Sequence, residues 1–408
     1  MRLKTTAKGL SKIALSCVCA MTVIACAPSD DSITADADTA DQVEATTMQS
    51  GDNPFMQASD LYLQYPAFDK IENAHYMPAF KAGLAEQVAE IDVIANSEEA
   101  PTFENTFVAM ERSGAILDRV ARVFYARVSA HTNDEVDEIR TELAPMLSAH
   151  GDEILLNSKL FARVKAVNDQ LDDLELDAES KRLVSETYKD FIGAGAQLSD
   201  EDKEKLKAMN SELASLGTEF SKKVLDEVND NAIVVDSADE LVGMSEVAIA
   251  SALEAGKARE LEGKYVLPLL NTSQQPSLAS LENRELRQRI LDTSLTRGSS
   301  GGENDTLEIV SNIIRIRAER AQLLGYDNHA AYSLTNQTAQ TTEAVNERLG
   351  TLAPPSVANA KREAGELQAM VEADGGDFKL GAADWNFYAE KLKAEKFNFD
   401  ESQLKPYL

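Results

Sequence analysis

Beyond Asn53 the apolar residues recur every three or four positions along most of the chain, the spacing of amphipathic helices. Leu206, Met209, Leu213, Leu216, Phe220 and Val224 fall on one stripe. Ser199 stands before them as an N-cap, and Asp200, Glu201 and Asp202 favour the positive end of the helix they open. Thr102 caps a second predicted helix in which Phe103, Phe107, Met110, Leu117, Val120 and Phe124 face one way. Such stripes read as core, not as ligand grooves. Two short runs break the period: Ala232-Ile233-Val234-Val235 after Asn229-Asp230-Asn231, and Lys264-Tyr265-Val266-Leu267 after Gly263. Both predict strands, and Pro268 ends the second or places it at an edge. The fold class is mainly α, with a small β-strand pair embedded in it.

The start of the chain follows a different rule. Arg2, Lys4, Lys8 and Lys12 precede an apolar run from Ile13 to Ala25, too short to span a bilayer as a helix. Residues 1–25 therefore read as a signal peptide. Val23-Ile24-Ala25-Cys26 resembles the lipobox of bacterial lipoproteins, which implies cleavage before Cys26 and a lipid on its thiol. An ordinary secretory signal cut near Ala25, leaving Cys26 a free thiol, is the alternative. Residue 27 is Ala and not Asp, which by the same resemblance implies the outer membrane, facing the periplasm. Residues 26–52, mostly Ala, Asp, Ser and Thr, have too little to bury and read as a disordered tether.

What remains exceeds one typical domain, so at least two cores are expected. We divide it into a helical N-terminal region with short strands, 53–300, and a further helical region, 301–408. The break is Gly298-Ser299-Ser300-Gly301-Gly302, read as a flexible link between a helix ending near Arg297 and another starting near Thr306. Lys and Arg total 40 against 69 Asp and Glu, a net charge of −29, which argues against a nucleic-acid partner. The acidity fits life in salt or a solubilising coat equally well. All three cysteines, Cys17, Cys19 and Cys26, lie in or at the edge of the signal. The body beyond Cys26 thus has no internal disulfide, no catalytic thiol and no thiolate metal site.

The remaining candidates for chemistry are four histidines, His75, His131, His150 and His329. A mononuclear zinc hydrolase of the H-E-x-x-H type needs two histidines one helical turn apart, with a glutamate beside them to take a proton from the bound water. The closest pair here is 19 residues apart, so that motif is absent. His131 with Glu135, and His150 with Glu153, stand at helical spacings, but among 69 acids such neighbours are expected by chance. His75 sits near a helix start and His329 in a turn. There is no G-x-S-x-G elbow, and the 298–302 run lacks the Lys-Ser/Thr pair of a phosphate loop. No catalytic, cofactor-binding or metal-ligating residue is assigned; the one modification assigned is lipidation of Cys26.

Several stretches, in order, resemble one family: Asn53-Pro54-Phe55, Pro66-Ala67-Phe68-Asp69-Lys70, Pro101-Thr102-Phe103-Glu104-Asn105-Thr106, and Ala130-His131-Thr132-Asn133-Asp134-Glu135. Leu198-Ser199-Asp200, Ala318 to Tyr326 and Asp384-Trp385-Asn386-Phe387-Tyr388-Ala389-Glu390-Lys391 continue the series. The chain resembles the thimet oligopeptidase and peptidyl-dipeptidase family of zinc metallopeptidases, in its N-terminal portion. The resemblance implies a two-lobed helical molecule with a channel for short peptides, zinc in the intact enzyme, and release of dipeptides from a peptide's C-terminus. It also implies that the zinc ligands lie in a C-terminal catalytic portion, so that these 408 residues alone are inactive. The alternative is a catalytically silent helical lipoprotein that binds peptides or acts as a scaffold. On the first reading, helices built to pack against the catalytic portion expose apolar surface.

Overall fold

The computed structural model describes residues 53–270 and 275–397. The signal, Cys26, the tether and the family-like run at 400–408 lie outside the described residues. The chain forms two compact units that divide between Ser215 and Leu216.

In the first unit Asn53 starts the fold by local bonding. Its amide donates to the His75 carbonyl at 2.8 Å, and its side-chain oxygen accepts from the Phe55 amide at 3.0 Å, which seats Phe55 in the core. Helix α1 (Tyr76–Ala95) follows. Thr102 caps the next element as expected, accepting from the Asn105 amide at 3.1 Å, but the helix there is short. A π-helical turn at Phe103–Val108 leads into α2 (Ala109–Arg112), and the chain breaks at Ser113-Gly114 before α3 (Ala115–Ala130). The single helix read from Thr102 to Phe124 is therefore two.

Its cause lies in tertiary contacts. Gly114 takes φ +76°, where a Cβ would lie 2.6 Å from the Gln87 side chain, and α1 carboxylates cap the new helix. Glu90 accepts from the Gly114 amide at 2.7 Å and Glu86 from the Ile116 amide at 3.2 Å. The break sends the two halves of the predicted stripe into different cores. Phe107 packs with Ile91, Leu160, Val164 and Phe191, whereas Val120 and Phe124 pack with Phe55, Tyr76, Phe80 and Leu143.

Helices α4 (Asp134–Leu155), α5 (Ser158–Asn168) and α6 (Ala178–Ala194) complete these two cores. Asn133, Asn157 and Asp177 cap them through their side chains. Buried Arg163 on α5 fastens the α1–α2 connection, donating to the carbonyls of Ser97 at 3.1 Å and Glu99 at 2.9 Å and to the Asn105 side chain at 2.9 Å. Helix α7 (Asp200–Asp230) begins where Ser199 accepts from the Asp202 amide at 3.2 Å. Of its stripe, Leu206 is buried and the other five are half-buried.

In the second unit β1 (Ile233–Val235) pairs antiparallel with β2 (Tyr265–Leu267), Val234 opposite Val266. A two-stranded sheet is marginal alone. Helix α8 (Glu246–Lys257) and helix α9 (Arg284–Leu295) support it, and the core there holds Ile233, Val235, Ala252, Leu267, Leu286 and Ile290. Helices α10 (Leu307–Leu323), α11 (His329–Leu334), α12 (Thr342–Ala373) and α13 (Ala382–Phe397) follow, with α13 against α9 and α12.

The glycine-rich run Gly298–Gly302 lies inside this unit and is fastened to it. Buried Glu227, at the end of α7, accepts from the Gly298 amide and the Ser300 hydroxyl, and the Thr306 hydroxyl donates to the Gly298 carbonyl at 2.9 Å.

Candidate functional site

The four histidines occupy four different settings. His75 is buried before α1, and its Nδ1 accepts from the Glu72 amide at 2.9 Å in a reciprocal cap. His131 is exposed at the end of α3, while Glu135, its helical-spacing neighbour, accepts from the Asn73 side chain at 2.6 Å. His329 opens α11 with Nδ1 buried and without a hydrogen-bond partner. Burial first, then the Arg317 and Arg320 charges, holds its pKa below the ordinary histidine value.

His150 lines an open groove of about 600 Å³ between α1 and α4. Leu84, Val88 and Met146 form its apolar wall, and Lys81, Asp92 and Glu153 add charge to it. His150 Nε2 lies 2.7 Å from the Gln87 side-chain oxygen, so it faces α1, while Glu153 is exposed. The predicted His150–Glu153 pair thus shares a groove. The groove's lining has no serine or cysteine nucleophile, and its His150, Glu153 and Asp92 are not placed together to hold a metal ion.

Burial lowers the His150 pKa, which makes the neutral form the folded one. A group whose folded pKa is depressed contributes stability above its unfolded value, near pH 6.5, that is lost as pH falls toward the folded value. We expect the urea midpoint of the chain to fall as pH drops below about 6.5. The His150→Gln variant should show a shallower fall across that window. An unchanged slope would remove His150 as its source.

The zinc that the family resemblance implies has to be tested against these residues. Among the described residues, no group of three or more His, Cys, Asp or Glu is placed to hold a metal ion. His75 and His150 are turned to partners on the protein itself. These side chains do not fit a zinc site.

The most deeply buried charges form a cluster in the second unit that has no local sequence signal. Asp384, 1% exposed, accepts from Arg287 Nη2 at 2.8 Å, from Arg284 Nε at 3.0 Å and from the Gly381 amide at 3.0 Å. Arg287 also donates to the carbonyls of Leu281 at 2.7 Å, Glu282 at 3.1 Å and Ala383 at 3.2 Å, and its guanidinium lies over the Phe387 ring. Asp384 and Arg287 are buried and bond to groups of the protein itself, so the cluster joins α9 to α13. The residues around it, 277–408, match Peptidase family M3. This segment is similar to that peptidase family.

This bears out the family resemblance read from the sequence, and whole-chain similarity extends it. Dipeptidyl carboxypeptidases of Salmonella typhimurium and Escherichia coli are each 41% identical over 355 residues, covering 87% of this chain and 52% of their own length. Oligopeptidase A of Escherichia coli is 28% identical over 359 residues, with the same coverage. The chain spans about half the length of the curated relatives it matches. The M3 segment takes in α9 to α13, and the similarity to the carboxypeptidases reaches well upstream of it. Among the described residues no helix is long and apolar enough to cross a membrane.

Proposed function

We propose that the chain is the N-terminal portion of a zinc metallopeptidase of the peptidyl-dipeptidase type. The whole enzyme removes dipeptides from the C-terminus of short peptides, and the zinc ligands belong to a C-terminal portion carrying H-E-x-x-H. These 408 residues alone do not cleave. One observation supports the dipeptide-releasing type over the oligopeptidase type: identity is 41% to the dipeptidyl carboxypeptidases against 28% to oligopeptidase A, over the same share of the chain. The absence of H-E-x-x-H from all 408 residues supports placing catalysis elsewhere. On this reading a lipid on Cys26 and the 26–52 tether hold the enzyme at the outer membrane, facing the periplasm.

The test pairs the chain with a catalytic portion. Alone, with zinc supplied, it should bind no stoichiometric metal and release nothing from a blocked tetrapeptide. Joined after Leu408 to the portion of the Salmonella typhimurium dipeptidyl carboxypeptidase that the match leaves uncovered, it should release C-terminal dipeptides, and a chelator should stop it. Chelator-sensitive release by the chain alone would overturn the reading. So would a soluble joined chain that binds zinc and cleaves only inside longer peptides. For the anchor, labelled palmitate should enter the bacterial product and be lost in Cys26→Ser; equal labelling of both removes Cys26 from that role.

A further inference from the structure

Helix α12 is packed at one end only. Leu367 and Val371, near its C-terminus, are buried with Phe387 and Tyr388 of α13. Toward its N-terminus every residue from Asn346 to Arg362 is exposed. Leu349, Leu352 and Val357 are 57%, 44% and 52% exposed.

The composition of this arm does not suit water. From Leu349 to Ala360 twelve consecutive residues carry no charge, in a chain of which 27% is charged. Val345, Leu349, Leu352 and Ala360 continue the stripe that Leu367 buries farther on. Ala353, Val357 and Ala358 lie off that line, so the uncharged surface extends around the helix. A surface helix sets charged or polar residues opposite its apolar stripe, and one that is apolar around its girth is enclosed.

Local propensity does not hold the arm either. Gly350, Pro354 and Pro355 all fall inside it. Relative to alanine, glycine costs about 1 kcal/mol in a helix interior and each proline about 3 kcal/mol. Each proline also removes a backbone donor from the ladder. A helix with that deficit draws its stability from packing.

We infer that Asn346–Arg362 of α12 is the docking face for the folded portion of a dipeptidyl-carboxypeptidase-like chain that the match leaves uncovered. The inference rests on the proposed function and adds the surface through which the two portions join. Two observations choose this occupant. The 41%-identical relatives are about twice the length matched, so a large folded portion goes with this sequence in them. The exposed uncharged surface also extends around the helix, from Leu349 and Leu352 to Val357, which suits enclosure by a folded portion.

Hydrogen exchange of the arm tests this in two forms: the chain alone, and the chain joined after Leu408 to the uncovered portion of the Salmonella typhimurium enzyme. Amides of Asn346–Arg362 should exchange at least tenfold more slowly in the joined form. Leu349→Glu with Leu352→Glu should abolish that protection and leave α1 to α6 unchanged. The same pair of substitutions in the chain alone should at least halve the binding of an apolar dye. Rapid exchange of the arm in both forms overturns the inference, as does dye binding that the substitutions leave unaltered. Slow exchange in the chain alone that is lost on dilution, with a dimer in sedimentation, assigns the face to a second copy and overturns it too. Dipeptide release with a rapidly exchanging arm keeps the proposed function and sinks this face; a protected arm in a joined chain that releases no dipeptide does the reverse.

Discussion

Asp384→Ala is expected to lower the stability of the second unit by about 3–5 kcal/mol, the cost of leaving one member of a buried ion pair without its partner. Arg287 is the group left stranded: it is 2% exposed, and its guanidinium has no route to water. Arg284→Ala should cost far less. Its side chain is 46% exposed, and ion pairs open to solvent contribute about 0–1 kcal/mol. The chain supplies its own reporter, since its single tryptophan is Trp385, beside Asp384 and packed at the α12–α13 core. Urea unfolding followed by Trp385 emission should show the ordering Asp384→Ala far below Arg284→Ala, with the latter near the parent. Equal losses for the two would mean that the buried arm of the cluster carries no special weight.

The same carboxylate predicts a pH response. Burial by itself pushes Asp384 up, but hydrogen bonds from Arg284, Arg287 and the Gly381 amide outweigh it and hold the group below the ordinary carboxylate range. Its contribution is therefore complete above about pH 4 and is lost as pH falls through the depressed folded value. The Asp384→Asn variant, already without the charge, should lose less stability over that acid window than the parent does.

Phe124→Ala is the matching experiment in the first unit, with an expected loss of about 3–5 kcal/mol. Phe124 is fully buried and meets three rings edge-on, Tyr76 at 5.1 Å, Phe80 at 5.4 Å and its neighbour Tyr125 at 5.4 Å between centroids. The close approach of α1 and α3 keeps the gap from closing. At Gly83 of α1, a Cβ would stand 2.6 Å from the Leu117 backbone of α3, so the helices already touch through their main chains. Urea unfolding by far-ultraviolet circular dichroism measures the loss. A value below about 1.5 kcal/mol would show that the surrounding rings relax into the space.

Local chemistry explains what could be read from the sequence. Ser199 caps α7 because a hydroxyl there meets an amide three residues on, and the strands at 233–235 and 265–267 follow from β-branched and aromatic runs beside turn residues. Pairs far apart in the chain have no such signal. Asp384 meets Arg287 across 97 residues, and in a chain with 69 acids nothing singles out that one. The helix read through Ser113-Gly114 failed for the same reason. The stripe period survives the break in number, and the carboxylates of Glu86 and Glu90 that make a new helix start there belong to another helix. The histidines were legible in a negative sense, because motif spacing is a property of sequence; the partners of His75 and His150, Glu72 and Gln87, were not.

Gly298, in the run 298–302, serves close approach. Gly298 at φ +73° presents its amide to the Glu227 carboxylate, and a Cβ there would lie 2.7 Å from the Thr306 hydroxyl. The run that reads as a natural place to cut the chain is thus a poor one. A protein begun at residue 301 leaves behind the Gly298 carbonyl that accepts from Thr306, and one stopped at residue 300 keeps Glu227 with Gly298 and Ser300 but loses the Thr306 that holds the run in place. Anyone dividing this polypeptide for expression should keep α7 and the glycine run on the same piece.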